Sequence, residues 1–474
     1  MTTRFSLRHT RSSPSLRDPF AKRALLHGLI VLSIGLAGCS GCSRDFEPGR
    51  NLLLITIDTL RADSLGTYGS GTGASPHIDR LAERSTVFER AYSTAPFTAP
   101  SHASILTAQH PSATGVIYNG HRASVSIDAR SITLAEHLSE AGFTTAAVVS
   151  AGPLDEKYGF SRGFQEFTRI KERKHNDRGG AAAAVNAKAE KWLLRQQGKE
   201  QNERFFLWLH YFDPHLPYVS PGNLREELKI DPEVVVSSRN AKRLPEHVVR
   251  RCYGAEVFES DRHIGDMLEL FDDLGLSKNT VVALTADHGE YLLEHGLIDH
   301  SRLYDEVLHV PMIIHWPGRR AAERHPRPVS TIDLAPTLLA ILGLENLPTA
   351  QGRNLLASSG SDEDFPVFAE WRDFRMLSKK KKPRPGDFLV SVQMGDTKYI
   401  QDILFPDSSS LYDLEEDPDE LRDRGPEDPE AALQMKRMLG QHFADDLPDG
   451  LVGVEGIQID EESEKMLRAL GYIR

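Results

Sequence analysis

The segment NLLLITID, residues 51–58, is a short apolar run that ends in an acidic side chain. Such a run predicts a strand of a parallel sheet covered on both faces, because an exposed face would impose alternating polar residues. Asp58 then falls at the carboxyl end of the strand. Open α/β sheets gather their functional groups at that edge.

Similar segments recur along the chain and alternate with helical patterns. Strands are predicted in RFFLWLHYFDPH (204–215), NTVVALTADHGE (279–290) and VPMIIHWPG (310–318). Helices are predicted in HIDRLAERSTVFERAY (77–92), SHASILTA (101–108), AEVFESDRHIGDMLELFDDLGL (255–276) and TIDLAPTLLAILG (331–343), and a helix, a glycine turn and a strand in ITLAEHLSEAGFTTAAVVS (132–150). This alternation predicts an α/β fold with a central, mostly parallel sheet flanked by helices.

The pattern changes after residue 345. Short β-like pieces follow, DFLVSVQMG (387–395) and TKYIQDI (397–403), and EKMLRALGY (464–472) predicts a closing helix. We therefore expect a larger α/β domain over residues 51–345 and a smaller C-terminal α+β subdomain over residues 346–474.

Several chemically active side chains fall at predicted strand ends or helix starts. Asp58, the pair Asp287 and His288, and the loop residue His215 follow strands, and Thr98 precedes a predicted helix. Helix starts favour anions, and carboxylates with an imidazole suit a divalent metal. A metal beside Thr98 would lower the pKa of its hydroxyl and yield a nucleophile. Taken singly, Thr98 also fits a plain turn residue, and Asp58 a helix cap or salt-bridge partner.

The first fifty residues have the organisation of a secretory signal. A basic region precedes the apolar run ALLHGLIVLSIGLAGC (24–39), which is short for a membrane span. LAGC resembles a bacterial lipobox, which predicts a signal peptide over residues 1–38, acylation of Cys39 and a polar tether over residues 39–50. An uncleaved anchor or a plain signal is the alternative. The lipoprotein interpretation places the chain in the bacterial cell envelope, anchored to a membrane and facing the periplasm or in the outer membrane.

The net charge argues against a nucleic-acid partner. The whole chain carries −12, and removal of residues 1–38, with six basic residues and one acid, leaves −17. No phosphate-neutralising face is evident in such a sequence. An anionic substrate remains compatible, because a local metal can override the global sign.

The ordered motifs resemble the sulfatase family of the alkaline phosphatase superfamily over about residues 51–474. LLLITIDTLRADSLGTYG (52–69) resembles its first metal-binding strand, TAPSHASILTAQHPSATGV (98–116) its active-site signature and NTVVALTADHGE its second metal strand. The resemblance implies an alkaline-phosphatase-like sandwich completed by the C-terminal subdomain. It also implies hydrolysis of anionic esters carried by a glycan, a lipid or a small molecule.

The resemblance assigns roles to individual positions. Asp58, Asp287 and His288 would be metal ligands, and Thr98 would be the nucleophile and also touch the metal. His215 would contact the substrate oxyanion or the leaving group. His102 stands where the family usually has an arginine that supports the nucleophile. His300 stands where it usually has a substrate-binding lysine, and either a general acid or a packing role suits it.

Three departures from the family pattern bear on the chemistry. The family nucleophile is a Cys or Ser that becomes formylglycine, and Thr98 cannot be converted in that way. Thr59 replaces a second carboxylate ligand, and the usual Gly-Lys-Trp-His element is missing from SAGPLDEKYGF (150–160). We therefore expect no formylglycine and one divalent ion, either manganese, zinc or calcium, with calcium least suited to an imidazole ligand.

Three functions fit these residues. The first is a hydrolase of sulfate or phosphate esters outside the cytoplasm, with a covalent Thr98 intermediate and chemistry that favours phosphorus. The second is a phospho-headgroup transferase, and the third is an inactive glycan-binding relative.

Overall fold

The computed structural model describes residues 51–119, 126–170, 181–197, 203–219, 234–318, 322–357, 364–372 and 384–443. The signal peptide, the Cys39 lipid anchor and the tether, predicted within residues 1–50, lie outside these ranges and stay predictions. The helix predicted at 464–472 also lies outside them.

In this part of the chain the strands are β1 (Asn51–Ile57), β2 (Thr86–Tyr92), β3 (Thr144–Val149), β4 (Glu166–Arg169), β5 (Phe205–Tyr211), β6 (Thr280–Ala286), β7 (Tyr291–Leu292), β8 (Ile298–Asp299), β9 (His309–His315), β10 (Glu323–Ser330), β11 (Val367–Arg372), β12 (Phe388–Met394), β13 (Thr397–Asp402) and β14 (Ser410–Asp413). The α-helices are α1 (Pro76–Ala82), α2 (Thr98–Thr107), α3 (Pro111–Thr114), α4 (Leu134–Glu140), α5 (Ala181–Gln196), α6 (Glu246–Asp273), α7 (Asp305–Leu308), α8 (Leu334–Ile341) and α9 (Pro429–His442). Among the described residues, no helix has both the length and the hydropathy that a membrane crossing requires.

The main sheet has eight strands in the order β10-β2-β9-β6-β1-β5-β3-β4. Strand β9 pairs antiparallel with both of its neighbours, and the other pairings in this sheet are parallel. The predicted α/β fold with a mostly parallel central sheet is therefore confirmed.

Strand β1 is buried on both faces, as its sequence predicts. Leu53 and Ile55 point into a core shared with α1, α5 and α6. Leu52 and Leu54 point to the opposite core, shared with α2, α4 and α8. Helices thus cover both faces of the sheet around its central strand, and polar groups reach this strand only where it ends.

A second, antiparallel sheet has the order β11-β12-β13-β14. One face packs on α9, and the other packs on residues near the start of α2. Lys398 on β13 is 1% exposed, and its ammonium group lies 2.6 Å from Asp305 and 2.9 Å from Glu420. Glu420 also accepts a hydrogen bond from the Asp305 amide, which ties α7 to the C-terminal part of the chain. The domain boundary at residue 345 stays a prediction.

The helix predicted over residues 77–92 is wrong in its second half. Helix α1 ends at Ala82, and residues 86–92 form β2, whose Val87, Phe88 and Ala91 are buried between β9 and β10. Sheet pairing overrides the helical spacing of the apolar residues here. Helix α2 begins at Thr98, three residues earlier than predicted, and α9 lies in a segment without a prediction.

Helix α1 is capped from another helix. Ser75, which precedes it, makes no side-chain cap, and the carboxylate of Asp261 on α6 accepts hydrogen bonds from the amides of His77 and Ile78. Asp261 is 1% exposed, and burial raises the pKa of its carboxyl to about 6, against the opposing effect of those two amides.

This cap predicts a pH-dependent stability. Folding raises the pKa of Asp261 from 3.8 to about 6, so the protonated carboxyl stabilises the folded state. This stabilisation is complete below pH 3.8 and is lost as the pH rises through about 6. Asp261→Asn keeps an acceptor oxygen without the charge, so its free energy of unfolding should change less between these pH values than that of the unmodified protein. Urea unfolding at several pH values measures both. Asp266→Asn, on the same helix and more exposed, is the control, and equal pH slopes for all three proteins would contradict the assignment.

Candidate metal centre and nucleophile

Sheet register brings the two predicted acidic ligands together. In the parallel pairing of β1 with β6, Ile57 lies opposite Ala286. Asp58 and Asp287 are the next residue of each strand, so they leave the same edge of the sheet side by side. Both are fully buried.

Backbone amides and a tight turn orient the second acidic ligand. Asp287 Oδ1 accepts hydrogen bonds from the amides of Thr59 (3.1 Å) and His288 (2.8 Å). The other carboxylate oxygen, Oδ2, takes no part in these two hydrogen bonds. Gly289 follows, and a Cβ at that position would collide with the carbonyl oxygen of Glu306 on α7. The turn therefore needs glycine to pack against α7.

His288 has the tautomer of a metal ligand. Its Nδ1 lies 2.9 Å from the carbonyl oxygen of Gly289, and a carbonyl only accepts, so Nδ1 carries the proton. The lone pair of Nε2 then points into the site. Burial, followed by the nearby His300, holds the pKa of His288 well below its usual value, which keeps the ring neutral.

These side chains fit a divalent cation. One ligand atom from each of Asp58, Asp287 and His288 lies within 4.8 Å of the other two. Asp287 Oδ2 and His288 Nε2 are buried and have no hydrogen-bond partner among the described residues. Two adjacent buried carboxylates are unfavourable without a compensating positive charge, and a metal ion supplies it.

A second group of three side chains could also hold an ion. One ligand atom from each of His102, His210 and Asp287 lies within 4.8 Å of the other two. His102 fits it poorly, because both of its ring nitrogens are already used. Nδ1 lies 2.8 Å from the Thr98 carbonyl oxygen and Nε2 lies 3.0 Å from Thr56 Oγ1. His210 instead directs Nε2 towards Asp58 Oδ2 at 3.8 Å, where it neighbours the first group. We therefore favour Asp58, Asp287 and His288 as the ligand set.

Thr98 is the first residue of α2 and is 2% exposed. Phe97 offers no side-chain cap. Asn119 from a following loop replaces it, accepting a hydrogen bond from the Ala99 amide at 2.7 Å and lying 3.5 Å from Thr98 Oγ1. Ser101 on the same helix donates to the Asp287 carbonyl oxygen at 2.6 Å, which ties α2 to the predicted metal ligands.

His300 is a histidine with a raised pKa that lies beside the predicted metal ligands. Its Nδ1 donates to the Pro96 carbonyl oxygen at 2.6 Å, and its Nε2 lies 2.9 Å from a carboxylate oxygen of Asp299. Burial alone would lower its pKa, but Asp299 raises the pKa of His300 to about 9. The ring lies 4.4 Å from that of His288 and 5.6 Å from that of His215.

His215 differs from His300 in charge. Burial, followed by the neighbouring His300, lowers the pKa of His215, and its Nδ1 donates to the Leu216 carbonyl oxygen at 2.6 Å. The ring stacks on Phe212. The site thus contains one proton donor, the protonated ring of His300, and one proton acceptor, the neutral ring of His215.

The predicted site residues therefore lie in one region of the fold. They are connected by contacts between aromatic rings, by hydrogen bonds and by the close approach of the three predicted metal ligands. His102 differs from expectation in that it contacts the backbone of Thr98, and its predicted catalytic role stays a prediction. Sequence reasoning missed His210 and Asn119. A histidine within the apolar strand FFLWLHY was the one available signal for His210; Asn119 gave none.

Comparison with known proteins decides the family. Residues 50–344 match the family model for sulfatases, and residues 293–444 match that for the C-terminal region of N-sulphoglucosamine sulphohydrolase. The chain belongs to the sulfatase family. Sulfatases are metal-dependent ester-bond hydrolases, so the predicted enzyme class is confirmed.

Relatives of this sulfatase-family chain span most of its length. The iduronate 2-sulfatase of Mus musculus is 26% identical over 77% of this chain and 83% of its own. The choline-sulfatase of Rhizobium meliloti is 26% identical over 83% and 86%. The phosphonate monoester hydrolase of Agrobacterium radiobacter shares the fold, with a TM-score of 0.68, 20% identity and coverage of 85% and 96%.

The ligand set predicts how this sulfatase-family chain responds to metal. Asp58→Asn and Asp287→Asn should each bind less than one equivalent of Mn²⁺ or Zn²⁺ where the unmodified protein binds one, because each loses a charged ligand. Elemental analysis after dialysis measures the content. Added metal should also raise the thermal unfolding temperature of the unmodified protein more than that of either variant.

Asp407→Asn, at an exposed position, is the matched control and should keep full metal content. Undiminished metal in both site variants would refute the ligand set.

Proposed function

We propose that this sulfatase-family chain hydrolyses phosphate or sulfate esters outside the cytoplasm, with the unconverted hydroxyl of Thr98 as its nucleophile. The observation that carries the proposal is the meeting of Asp58, Asp287 and His288 beside the helix that begins at Thr98. A divalent cation held by these three ligands, with Thr98 as a further ligand, would supply a Lewis acid that favours the alkoxide of a nearby alcohol. Manganese and zinc suit the mixed oxygen and nitrogen donors better than calcium does.

The first half of the reaction breaks the ester. Thr98 Oγ1 releases its proton to solvent and attacks phosphorus or sulfur, a new bond forms to that oxygen, and the bond to the leaving oxygen breaks. His300, protonated at neutral pH, would give its Nε2 proton to the leaving oxygen. Asn119 Nδ2, beside Thr98 Oγ1, helps to orient the attacking atom.

The second half of the reaction hydrolyses the covalent ester and regenerates Thr98. Water attacks the covalent Thr98 ester, the bond to Thr98 Oγ1 breaks, and the neutral imidazole of His215 accepts a proton from the water. A secondary alcohol lacks the gem-diol of formylglycine, so the enzyme must hydrolyse this ester by attack on its central atom. That requirement favours phosphate esters over sulfate esters.

The nucleophile assignment predicts a specific loss. Thr98→Ala should abolish turnover of 4-nitrophenyl phosphate with added Mn²⁺, and Thr98→Ser should retain part of it, because a primary alcohol preserves the attacking oxygen. Initial rates on aryl phosphate, phosphodiester and aryl sulfate substrates measure both variants. Mass spectrometry of acid-quenched enzyme should find a phosphoryl group on the peptide that contains Thr98.

Thr107→Ala is the control, since its buried hydroxyl on the same helix donates to the Ala103 carbonyl oxygen. Full turnover by Thr98→Ala would remove the nucleophile. Turnover of sulfate esters alone would remove the preference for phosphorus, and no turnover with any metal would favour a glycan-binding protein.

The N-terminal sequence also supports a proposal for the cellular location. We propose that Cys39 carries a lipid anchor that holds the hydrolase in the bacterial cell envelope, since acyl chains bind membranes by burying methylene groups, at about 0.8 kcal/mol each. Cells fed an alkyne-labelled fatty acid should label the unmodified protein, while Cys39→Ala should remain unlabelled and leave the membrane fraction. Cys42→Ala is the control, and equal labelling of Cys39→Ala would contradict the anchor.

A further inference from the structure

A buried hydrogen-bonded chain connects the centre of the sheet to the first residue of α2. Trp208 Nε1 on β5 donates to Thr56 Oγ1 on β1 at 2.9 Å. Thr56 Oγ1 lies 3.0 Å from His102 Nε2, and His102 Nδ1 lies 2.8 Å from the Thr98 carbonyl oxygen. Trp208, Thr56 and His102 have no exposed surface.

The chemistry of the end groups fixes the direction of every hydrogen bond in this chain. A carbonyl oxygen only accepts, so His102 Nδ1 carries a proton. A neutral ring that carries its proton on Nδ1 accepts at Nε2. The indole of Trp208 only donates, so the Thr56 hydroxyl receives its hydrogen bond and passes its own to His102.

Neighbouring side chains hold the His102 ring in place. The ring of His210 packs edge-on against it at 4.8 Å, and the indole of Trp208 lies 5.6 Å away. The His210 ring is itself held by Ser150, whose amide donates to its Nδ1 at 3.5 Å and whose hydroxyl lies 3.5 Å from the same atom. The His102 ring therefore has one orientation.

The chain ends on the peptide group that joins Thr98 to Ala99. His102 holds the carbonyl oxygen of this peptide, and Asn119 Oδ1 holds its amide at 2.7 Å. A peptide group is planar, so holding both ends fixes its plane and the position of the Thr98 Cα in it, which restrains the Thr98 side chain.

We propose that Thr56 and Trp208 are positioning residues that act through His102 to aim the Thr98 hydroxyl. This inference rests on the proposed role of Thr98 as nucleophile. Neither residue reaches the site itself, and their effect lies in the geometry of the attacking atom, to which rates are sensitive.

Kinetics of two variants test the proposal. Thr56→Val removes the hydroxyl and keeps the shape, and Trp208→Phe removes the indole N–H together with part of the ring, so kcat for 4-nitrophenyl phosphate with Mn²⁺ should fall about tenfold while KM stays unchanged. Thr56→Ser, which restores the hydroxyl, should recover most of the rate.

The structure offers a matched control for each variant. Thr86 Oγ1 and Trp192 Nε1 are buried and have no hydrogen-bond partner among the described residues. Thr86→Val and Trp192→Phe should leave kcat intact. An equal fall in kcat for the controls, or a change in KM alone, would overturn the positioning role.

A second readout separates this inference from the proposed reaction. The ¹⁵N NMR spectrum of histidine-labelled protein, with the His102 signals assigned by their loss in His102→Gln, should show the proton on Nδ1 in the unmodified protein. In Thr56→Val the proton should stay on Nδ1, and the Nε2 signal should shift because this nitrogen loses its hydrogen-bond donor. A proton on Nε2 in the unmodified protein would refute the chain. Failure of the Thr98→Ala test alone would refute the nucleophile and leave the tautomer result standing.

Discussion

The pairing of β1 with β6 is the constraint on which the site depends. Because Ile57 lies opposite Ala286, the residues that follow them, Asp58 and Asp287, lie side by side at the end of the sheet. Both side chains are fully buried. Two such carboxylates repel each other when both are ionised, so a cation bound at this edge would stabilise the fold. A shift of one residue in this register would move one carboxylate to the opposite face of the sheet and disperse the ligands.

The nucleophile helix is fixed to this pair from several sides. Ser101 bonds to the backbone of Asp287, and His102 holds the peptide after Thr98. The second sheet contributes Trp371, whose ring stacks on Phe97 at 4.4 Å, directly before Thr98. The start of α2 therefore lies between the main sheet and the C-terminal sheet, and both determine its position.

Much of this arrangement could be predicted from the sequence, because it follows from local patterns. Apolar runs ending in acids identified β1 and β6, and the edge they share brought Asp58, Asp287 and His288 together. The family assignment from ordered motifs was also confirmed.

The remaining features depend on tertiary contacts. Residues 86–92 form a strand because β9 and β10 flank them, which their spacing does not reveal. Asn119 reaches Ala99 through a loop closure, and Asp261 caps a helix about 180 residues away in sequence. The charge difference between His215 and His300 arises from Asp299 and from burial, both products of the folded state.

The ion pairs of Lys398 bear on how the protein is made. Helix α7, against which the Gly289 turn packs, receives its contacts from Lys398 and Glu420, which are translated more than ninety residues later. A nascent chain that has emerged only as far as β9 holds all the predicted metal ligands but lacks the partners that anchor this helix. The contacts that anchor this helix can therefore form only after the C-terminal sheet has joined the rest of the fold.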